Sequence, residues 1–512
     1  MLQTHVSCIL LAGDYAYKIK KPVNLGFLDF STLEARRHYC EEELRLNRRT
    51  APGLYLDVVP VCGSASMPVL AGDEPAIEYA LRMKRFPQDA LLDHMAQRGE
   101  LAPQHIAALA AGLAAFHART DCADPNGPYG SRERILAQAL QNFEQMQALT
   151  AVTAELDLLT RLRDWTMNAH ASLAEAFDAR KRTGRVRECH GDLHLGNIAL
   201  LDGVPTPFDC IEFSADLRWT DVMSDVAFLM MDLFDHHLPR LAFRFLNAYL
   251  EITGDYAGLR VLRYYLVYRA LVRAKVSGLR AQQAGLAARA QNDIGHESRR
   301  HLHLAERLAR PGHAALLLMH GVSGSGKTTI ARSLAEALGA VHLRSDVERK
   351  RLHGLAPLTH PDSGLDEGLY APGASARTYA RLAALAREAL AAGYPVIVDA
   401  AFLKRSQRDN FAGIARGADA GFAIASCTAP AATLRARVAL RERAGSDASD
   451  AGGAVLQHQL ETQEPLAVDE SAHALMLDTE RGADAAASLA QHLGLAPPDW
   501  PIGTANSGQF PW

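Results

Sequence analysis

The 512-residue chain contains no run of about 18 consecutive apolar residues, which excludes a membrane-spanning helix read from hydropathy. Its first stretch, MLQTHVSCILLAGDYAYKIKK, has no basic segment followed by a long apolar one, and CILLA is too short for a secretory signal. Cysteine is sparse. The seven residues Cys8, Cys40, Cys62, Cys122, Cys189, Cys210 and Cys427 form no C-x-x-C pair and are odd in number, so reduced thiols and a cytoplasmic setting are expected rather than a disulfide framework. A strong charge of one sign is lacking too. The net charge of −4 gives no reason to expect a nucleic-acid or membrane partner across the whole surface. No repeat of fixed period is present. What is there is ordinary for globular protein: 48% hydrophobic and 22% charged residues, in a chain too long for one core.

The first ~90 residues read as mostly strands. THVSCILLAG and DYAYKIKKPV pair around Gly13-Asp14, a charged helix covers Thr32–Arg49, and LYLDVVPVC and AIEYALRMKRF are further strands. From Leu91 to Arg180 apolar residues recur at helical spacing. A strand-rich island, ECHGDLHLGNIALLDGVPTPFDCIEF, interrupts the helices, which then return and end in a basic stretch, Arg299–Arg310, read as a solvated linker helix. Pro311-Gly312 marks a domain boundary. Beyond it AVHLR, PVIVDAAF, FAIASC and HALMLD alternate with helical segments, the pattern of a parallel sheet covered on both faces. The expected domains are 1–310 and 313–495. The Ala444–Gly453 segment is expected to be mobile and 496–512 a flexible tail.

Two constellations carry chemistry. Gly321-Val322-Ser323-Gly324-Ser325-Gly326-Lys327-Thr328, with Thr329 next to it, spells G-x-x-x-x-G-K-[ST] between an apolar strand and a helix. Glycines let backbone N–H groups cradle phosphates on the helix N-terminus, Lys327 reaches the terminal phosphates, and Thr328 ligates Mg²⁺. Asp399, closing the strand PVIV, lies where a carboxylate holds Mg²⁺ or its water. The second constellation is His190–Asn197 (HGDLHLGN), the H-x-D-x-x-x-x-N catalytic-loop pattern. Asp192 is suited to accept the proton of a substrate hydroxyl, Asn197 to hold Mg²⁺, and Asp209 at the end of the following hairpin to be the other metal ligand, with Glu212 a weaker one. Lys18 ends an alternating strand and fits the α/β-phosphate lysine. Its helix glutamate is Glu42 or Glu43, adjacent positions about 100° apart on the helix, and the sequence leaves both open. Lys20 and Lys21 read as solvated. Met83–Phe86 lies where a hinge would contact adenine. The i, i+4 pair His190 and His194 reads as part of the loop rather than as a zinc site.

On AYKIKKP, HGDLHLGN, FDCIEF and LRWTDVMSDVAFLMMDL, residues 1 to about 300 resemble the aminoglycoside phosphotransferase branch of the kinase-like fold. Residues 313 to about 495 resemble the small P-loop kinases of the polynucleotide-kinase and zeta-toxin-like group, and the whole chain resembles the bifunctional aminoglycoside phosphotransferase/ATP-binding proteins. The resemblance implies an α+β kinase-like domain, a small mixed β lobe plus a helical lobe, followed by an α/β P-loop NTPase domain. It implies ATP and Mg²⁺ as cofactors, and nucleotide and a small-molecule hydroxyl as binding partners, with no membrane or nucleic-acid partner expected. In the P-loop half it makes Asp346 the base, sets Arg349 and Lys350 toward acceptor phosphate or carboxylate, and makes Arg437, Arg441 and Arg443 lid arginines. Lys404, Arg405 and Arg408 become further substrate contacts. Asp221 and Asp225 would brace the catalytic loop. Two departures stand out: Gly191 replaces the arginine that latches a phosphorylated activation loop, and the first strand of the small lobe is absent or reduced. The alternatives are a module that binds ATP only to gate the other half, and a polynucleotide-end kinase.

Overall fold

The computed structural model describes residues 2–3, 6–24, 28–149, 153–282, 288–356, 359, 372–444, 451–480, 489–491 and 493. Residues 445–450 and 496–512, expected to be mobile, lie outside that set. The chain divides into two compact units. One comprises Met1–His236 and Tyr264–Glu306, the other His237–Arg263 and Arg307–Trp512.

The first unit opens with a six-stranded sheet of β1 (Leu2–Gln3), β2 (Ser7–Ala12), β3 (Tyr15–Lys20), β4 (Tyr55–Ser64), β5 (Met67–Leu70) and β6 (Glu78–Lys84) in the order β1-β2-β3-β6-β4-β5. Each neighbouring pair is antiparallel. In β1, Leu2 pairs with Ile9 and Gln3 with Cys8 of β2. Helix α1 (Leu33–Asn47) begins where Thr32 accepts the Ala35 N–H on its hydroxyl at 3.1 Å, satisfying one of the N–H groups a helix start leaves over. Ala51, Leu54, Tyr55, Leu81 and Met83 form the core of this lobe.

Helices follow: α2 (Leu92–Gln97), α3 (Pro103–Arg119), α4 (Arg132–Leu149), α5 (Thr153–Ser172), α6 (Ala174–Arg182), α7 (Ala215–Arg218) and α8 (Val222–Asp235). Two short antiparallel ribbons sit among them, β7 (Val186–Glu188) with β10 (Trp219–Asp221), and β8 (Ile198–Leu201) with β9 (Val204–Pro207). Of α8, every residue from Val222 to Phe234 is buried, a core helix whose apolar surface is broken by Ser224, Asp225 and Asp232.

The second unit begins with helix α9 (Pro239–Thr253). Helices α10 (Leu259–Ala281) and α11 (Ala288–Ala309) each carry residues of both units. The basic stretch read as a solvated linker falls in α11, where it buries His301, Leu302 and Ala305. Then come β11 (Ala315–His320), α12 (Lys327–Leu338), β12 (Val341–Arg344), α13 (Ser345–Leu352), α14 (Pro372–Ala391), β13 (Val396–Asp399), α15 (Arg405–Gly417), β14 (Gly421–Thr428), α16 (Ala431–Ala444), α17 (Gly453–Thr462), α18 (Val468–Ser471) and β15 (Ala474–Asp478). The five strands are parallel in the order β12-β13-β11-β14-β15. Every residue of β11 and β13 is buried, as continuous apolar runs between two helical layers require.

Edge strand β12 is closed by a side chain. Asn247 of α9 donates to the Ala340 carbonyl at 2.9 Å and accepts the His342 N–H at 2.8 Å, so its amide imitates a neighbouring strand. Asn247→Leu removes both bonds. Amide hydrogen exchange at His342 should speed up by about tenfold to a hundredfold, the equivalent of about 1–3 kcal/mol; unchanged exchange would show that the edge is protected in some other way.

Candidate active sites

In the first unit, residues i and i+2 of β3 share a face, so Lys18 and Lys20 point the same way, toward α1. Lys18 Nζ lies 2.7 Å from Glu43 Oε1 and 2.6 Å from Asp209 Oδ1. The choice between the two glutamates is thereby made. Glu43 is fully buried, whereas Glu42 turns outward and accepts from Arg45 at 3.0 Å and from Arg218 at 3.4 Å. Glu42 is thus withdrawn as the partner of Lys18. Lys20 is not solvated: it is 2% exposed, with Nζ 2.7 Å from Glu43 Oε2 and in contact with Glu212 Oε1. Glu212, the weaker metal-ligand candidate, is held in that buried pair. Burial works to raise the Glu43 carboxyl, but the two ammonium groups outweigh it and hold it at about 2. For Lys18, burial is outweighed by Asp209, Glu43 and Glu212, and its pKa is raised.

The catalytic-loop pattern folds as a turn whose backbone is held from below. Asp225 accepts the His190 N–H at 2.8 Å and the Gly191 N–H at 3.0 Å, and Asp232 accepts the Leu195 N–H at 2.8 Å. Asp225 braces the loop as expected, but Asp221 does not. It caps α8 through the Met223 N–H and forms a buried pair with Arg180 at 2.6 Å. Gly191 has φ +84°, and a Cβ there would lie 3.1 Å from the Leu217 carbonyl oxygen, so glycine answers a backbone requirement at this position. His190 Nε2 sits 2.9 Å from the Phe208 carbonyl, and His194 Nδ1 accepts the Gly196 N–H at 3.2 Å, so both rings serve the loop.

Asn197 donates its amide to the carbonyl and carboxylate of Asp192, 3.0 Å to each. Burial raises the Asp192 carboxyl, but His194, Arg273 and His190 outweigh it and hold its pKa below the usual carboxylate range. The group is therefore ionised at neutral pH, the state a proton acceptor needs. Asp209 adopts φ +63°, uncommon for a residue with a side chain, and donates its N–H to the Tyr55 hydroxyl at 3.1 Å. Its carboxylate is 41% exposed. With Asn197 it supplies hard oxygen donors of the kind magnesium takes. Phe86 meets Phe208 edge-on, with ring centroids 5.4 Å apart, where the hinge segment was expected.

In the second unit, strand register aligns the chemistry. Asp399 pairs with Met319 of β11 on one side and Arg344 of β12 on the other, so the C-terminal ends of three parallel strands meet at the loop Gly321–Thr328. Gly324 has φ +80°, and a Cβ there would lie 2.7 Å from the Leu434 carbonyl. Val322 packs into an apolar cluster with Leu434, Val438 and Leu456, which fastens the loop to α16 and α17. Ser325 is buried. Lys327 Nζ donates to the Val322 carbonyl at 2.8 Å, and burial lowers its pKa.

A cavity of about 320 Å³ lies over this loop, lined among others by Ser323, Lys327, Thr328, Thr329, Asp346 and Asp399. Arg349, Arg437 and Arg441 also line it, as expected, and Arg349 donates to Asp346 at 2.7 Å. Lys350 does not reach it; its side chain is 1% exposed, turned into the fold at the next position of α13. Arg408 is likewise buried, clamped on Glu470 at 2.9 Å. Lys404 and Arg405 bind Glu464 and Asp469 outside the cavity, and Arg443 is exposed. Several lining residues were not anticipated from the sequence. Arg344 sits in register with Asp399 and donates to Glu251 at 2.7 Å, Gln459 accepts the Ser323 N–H at 2.7 Å, and Ser345, Tyr379, Ala400, Ala401 and Ala451 also line the wall. Only Arg344 carried a signal, as the last residue of a predicted strand.

His342 Nε2 lies 3.3 Å from Asp399 Oδ2. Burial raises the Asp399 carboxyl, but the His342 ring, Arg344 and Lys327 outweigh it and hold it at about 2. A depressed carboxylate contributes stability that is complete above its unfolded value, near 3.8, and is lost as pH falls toward about 2. Asp399→Asn should therefore flatten the pH dependence of the denaturation midpoint between pH 4 and 2; an unaltered slope would mean that Asp399 is not depressed.

The Phosphotransferase enzyme family profile matches residues 33–262, and an AAA domain profile matches 316–466. The uncharacterized protein Rv2004c of Mycobacterium tuberculosis strain H37Rv is 31% identical over 450 residues, 87% of each chain, and a Mycobacterium bovis protein matches equally. Among solved structures, a sugar kinase from Janibacter sp. HTCC2649 is similar at 26% identity and TM-score 0.27, covering 36% of this chain and 97% of that one. An aminoglycoside phosphotransferase from Alicyclobacillus acidocaldarius is similar at 15% identity and TM-score 0.32, covering 60% and 91%. An amicoumacin kinase, hAmiN, is similar at 13% identity and TM-score 0.34, covering 59% and 89%. The chain thus belongs to the family of its mycobacterial relatives, and in it a Phosphotransferase enzyme family segment precedes a P-loop kinase-like segment.

Proposed function

We propose that this phosphotransferase-family chain has two ATP sites, each passing the γ-phosphoryl group to a hydroxyl of a small acceptor. The observation that carries the reading is the meeting of Glu43 and Asp209, from separate stretches of the chain, on the Lys18 ammonium group, at 2.7 and 2.6 Å. In the first site Asp192 takes the hydroxyl proton, Lys18 holds the α/β-phosphates, and Asn197 and Asp209 hold magnesium. In the second, the Gly321–Gly326 amides and Lys327 hold the phosphates, Thr328 and Asp399 hold the metal, and Asp346 takes the proton. Arg437 and Arg441 stabilise charge on the transferring group. Bound magnesium would neutralise charge on the phosphate oxygens at both sites.

The surroundings constrain the acceptors. The second cavity sets Lys327, Arg344, Arg349, Arg437 and Arg441 against two carboxylates, Asp346 and Asp399. That excess favours an acceptor bearing carboxylate or phosphate. A polynucleotide end also bears phosphate; oligonucleotide phosphorylation with a steep salt dependence would assign that acceptor.

Mutation separates the heads. Asp192→Ala should lower one phosphoryl-transfer activity by about 10²–10⁴ and leave the other intact, and Lys327→Ala should do the reverse. Calorimetry of the whole chain with a non-hydrolysable ATP analogue should give two equivalents bound. A single equivalent, or variants that silence both activities together, would overturn the two-site reading.

A further inference from the structure

The first unit holds a chain of charges longer than a lysine–glutamate pair. It runs Asp209, Lys18, Glu43, Lys20, Glu212, alternating in sign, with Lys18 2.6 Å from Asp209 and the two lysines 2.7 Å from opposite oxygens of Glu43. Its two ends differ in exposure. The Asp209 side chain is 41% exposed, while Lys20 and Glu212 are 1% and 8% exposed. Lys20 Nζ also stands 4.8 Å over the Phe30 ring. Two spacings build the chain. K-x-K on β3 sets both ammonium groups on one strand face, and D-x-x-E brings a second carboxylate, Glu212, behind the first.

We infer that Lys20 and Glu212 are positioning residues for the first nucleotide site, anchoring Glu43 so that Lys18 keeps its place when Asp209 turns to a metal. The inference rests on the first-site reading given above. Lys18 is shared between Asp209 and Glu43, and a cation drawn to Asp209 competes directly with it. A glutamate held by Lys18 alone would be free to follow. Glu43 is instead held at its second oxygen by the buried Lys20 ammonium group, itself paired with Glu212.

The test uses the whole chain carrying Lys327→Ala, so that titration with magnesium and a non-hydrolysable ATP analogue reports the first site. Lys20→Met would leave Glu212 buried without its partner, so the informative variant is Lys20→Met/Glu212→Gln, with Lys20→Arg as the conservative control. Affinity should fall about 10- to 100-fold in the double variant, the loss typical when a group that orients a metal or phosphate ligand is removed. The Lys20→Arg variant should bind within a few-fold of the parent. Thermal midpoints are measured alongside, and binding is compared well below them. A double variant that binds like the parent, while Lys18→Met does not bind, overturns this inference alone, as does one whose weaker binding disappears once the folded fraction is matched. A parent that binds no analogue overturns the first-site reading together with it.

Discussion

Glu43 is the residue on which the first unit's buried charge cluster depends. A carboxylate removed from water is costly unless its charge is matched, and Glu43 is matched twice, once on each oxygen. The double pairing makes one buried side chain the common support of β3, α1 and the segment after β9. It fixes the position of Lys18, and through Lys18 that of Asp209. Most of the unit's other polar burial has the same character. Asp225 and Asp232 accept backbone N–H groups of the His190–Asn197 loop, and Arg180 and Asp221 neutralise each other at the start of α8. Asp225 and Asp232 thus hold the loop's backbone in place around Asp192.

The second unit places charge by a different device. Its phosphate loop is shaped by backbone, with Gly324 in the left-handed region, and is fastened by the apolar side chain of Val322 rather than by an ion pair. The charged groups arrive from the ends of parallel strands, where register alone sets Arg344, Asp399 and the loop side by side. Successive residues on a helix then divide the work, as in α13, where Arg349 lines the cavity and Lys350 is buried.

The local strings were legible because their geometry is local. A glycine loop between strand and helix, and a carboxylate five residues from an asparagine, keep their meaning in any surroundings. The α/β alternation and the kinase-like island followed from periodicity in the same way. Long cations were the failures. Lys20, Lys350 and Arg408 read as solvated or ligand-facing because lysine and arginine usually are. Their burial depends on acids or packing distant in the chain: Glu212 is 192 positions from Lys20, and Glu470 is 62 from Arg408. The same reason hid Glu42 from Glu43, since helix rotation is set by what α1 packs against. Gln459 and Asn247 were invisible because an amide that caps a backbone group leaves no mark in composition.

The connectivity of α9 carries a practical consequence. Its asparagine completes the edge of a sheet whose strands all come later in the sequence, so the polypeptide crosses between the two units three times, at 236/237, 263/264 and 306/307. Cutting at Pro311, the boundary read from the sequence, would strip that edge and bare the Ala340 carbonyl and the His342 amide to any passing strand. A P-loop fragment prepared that way is liable to aggregate for reasons unrelated to its nucleotide site. A soluble fragment has to bring its borrowed helix with it.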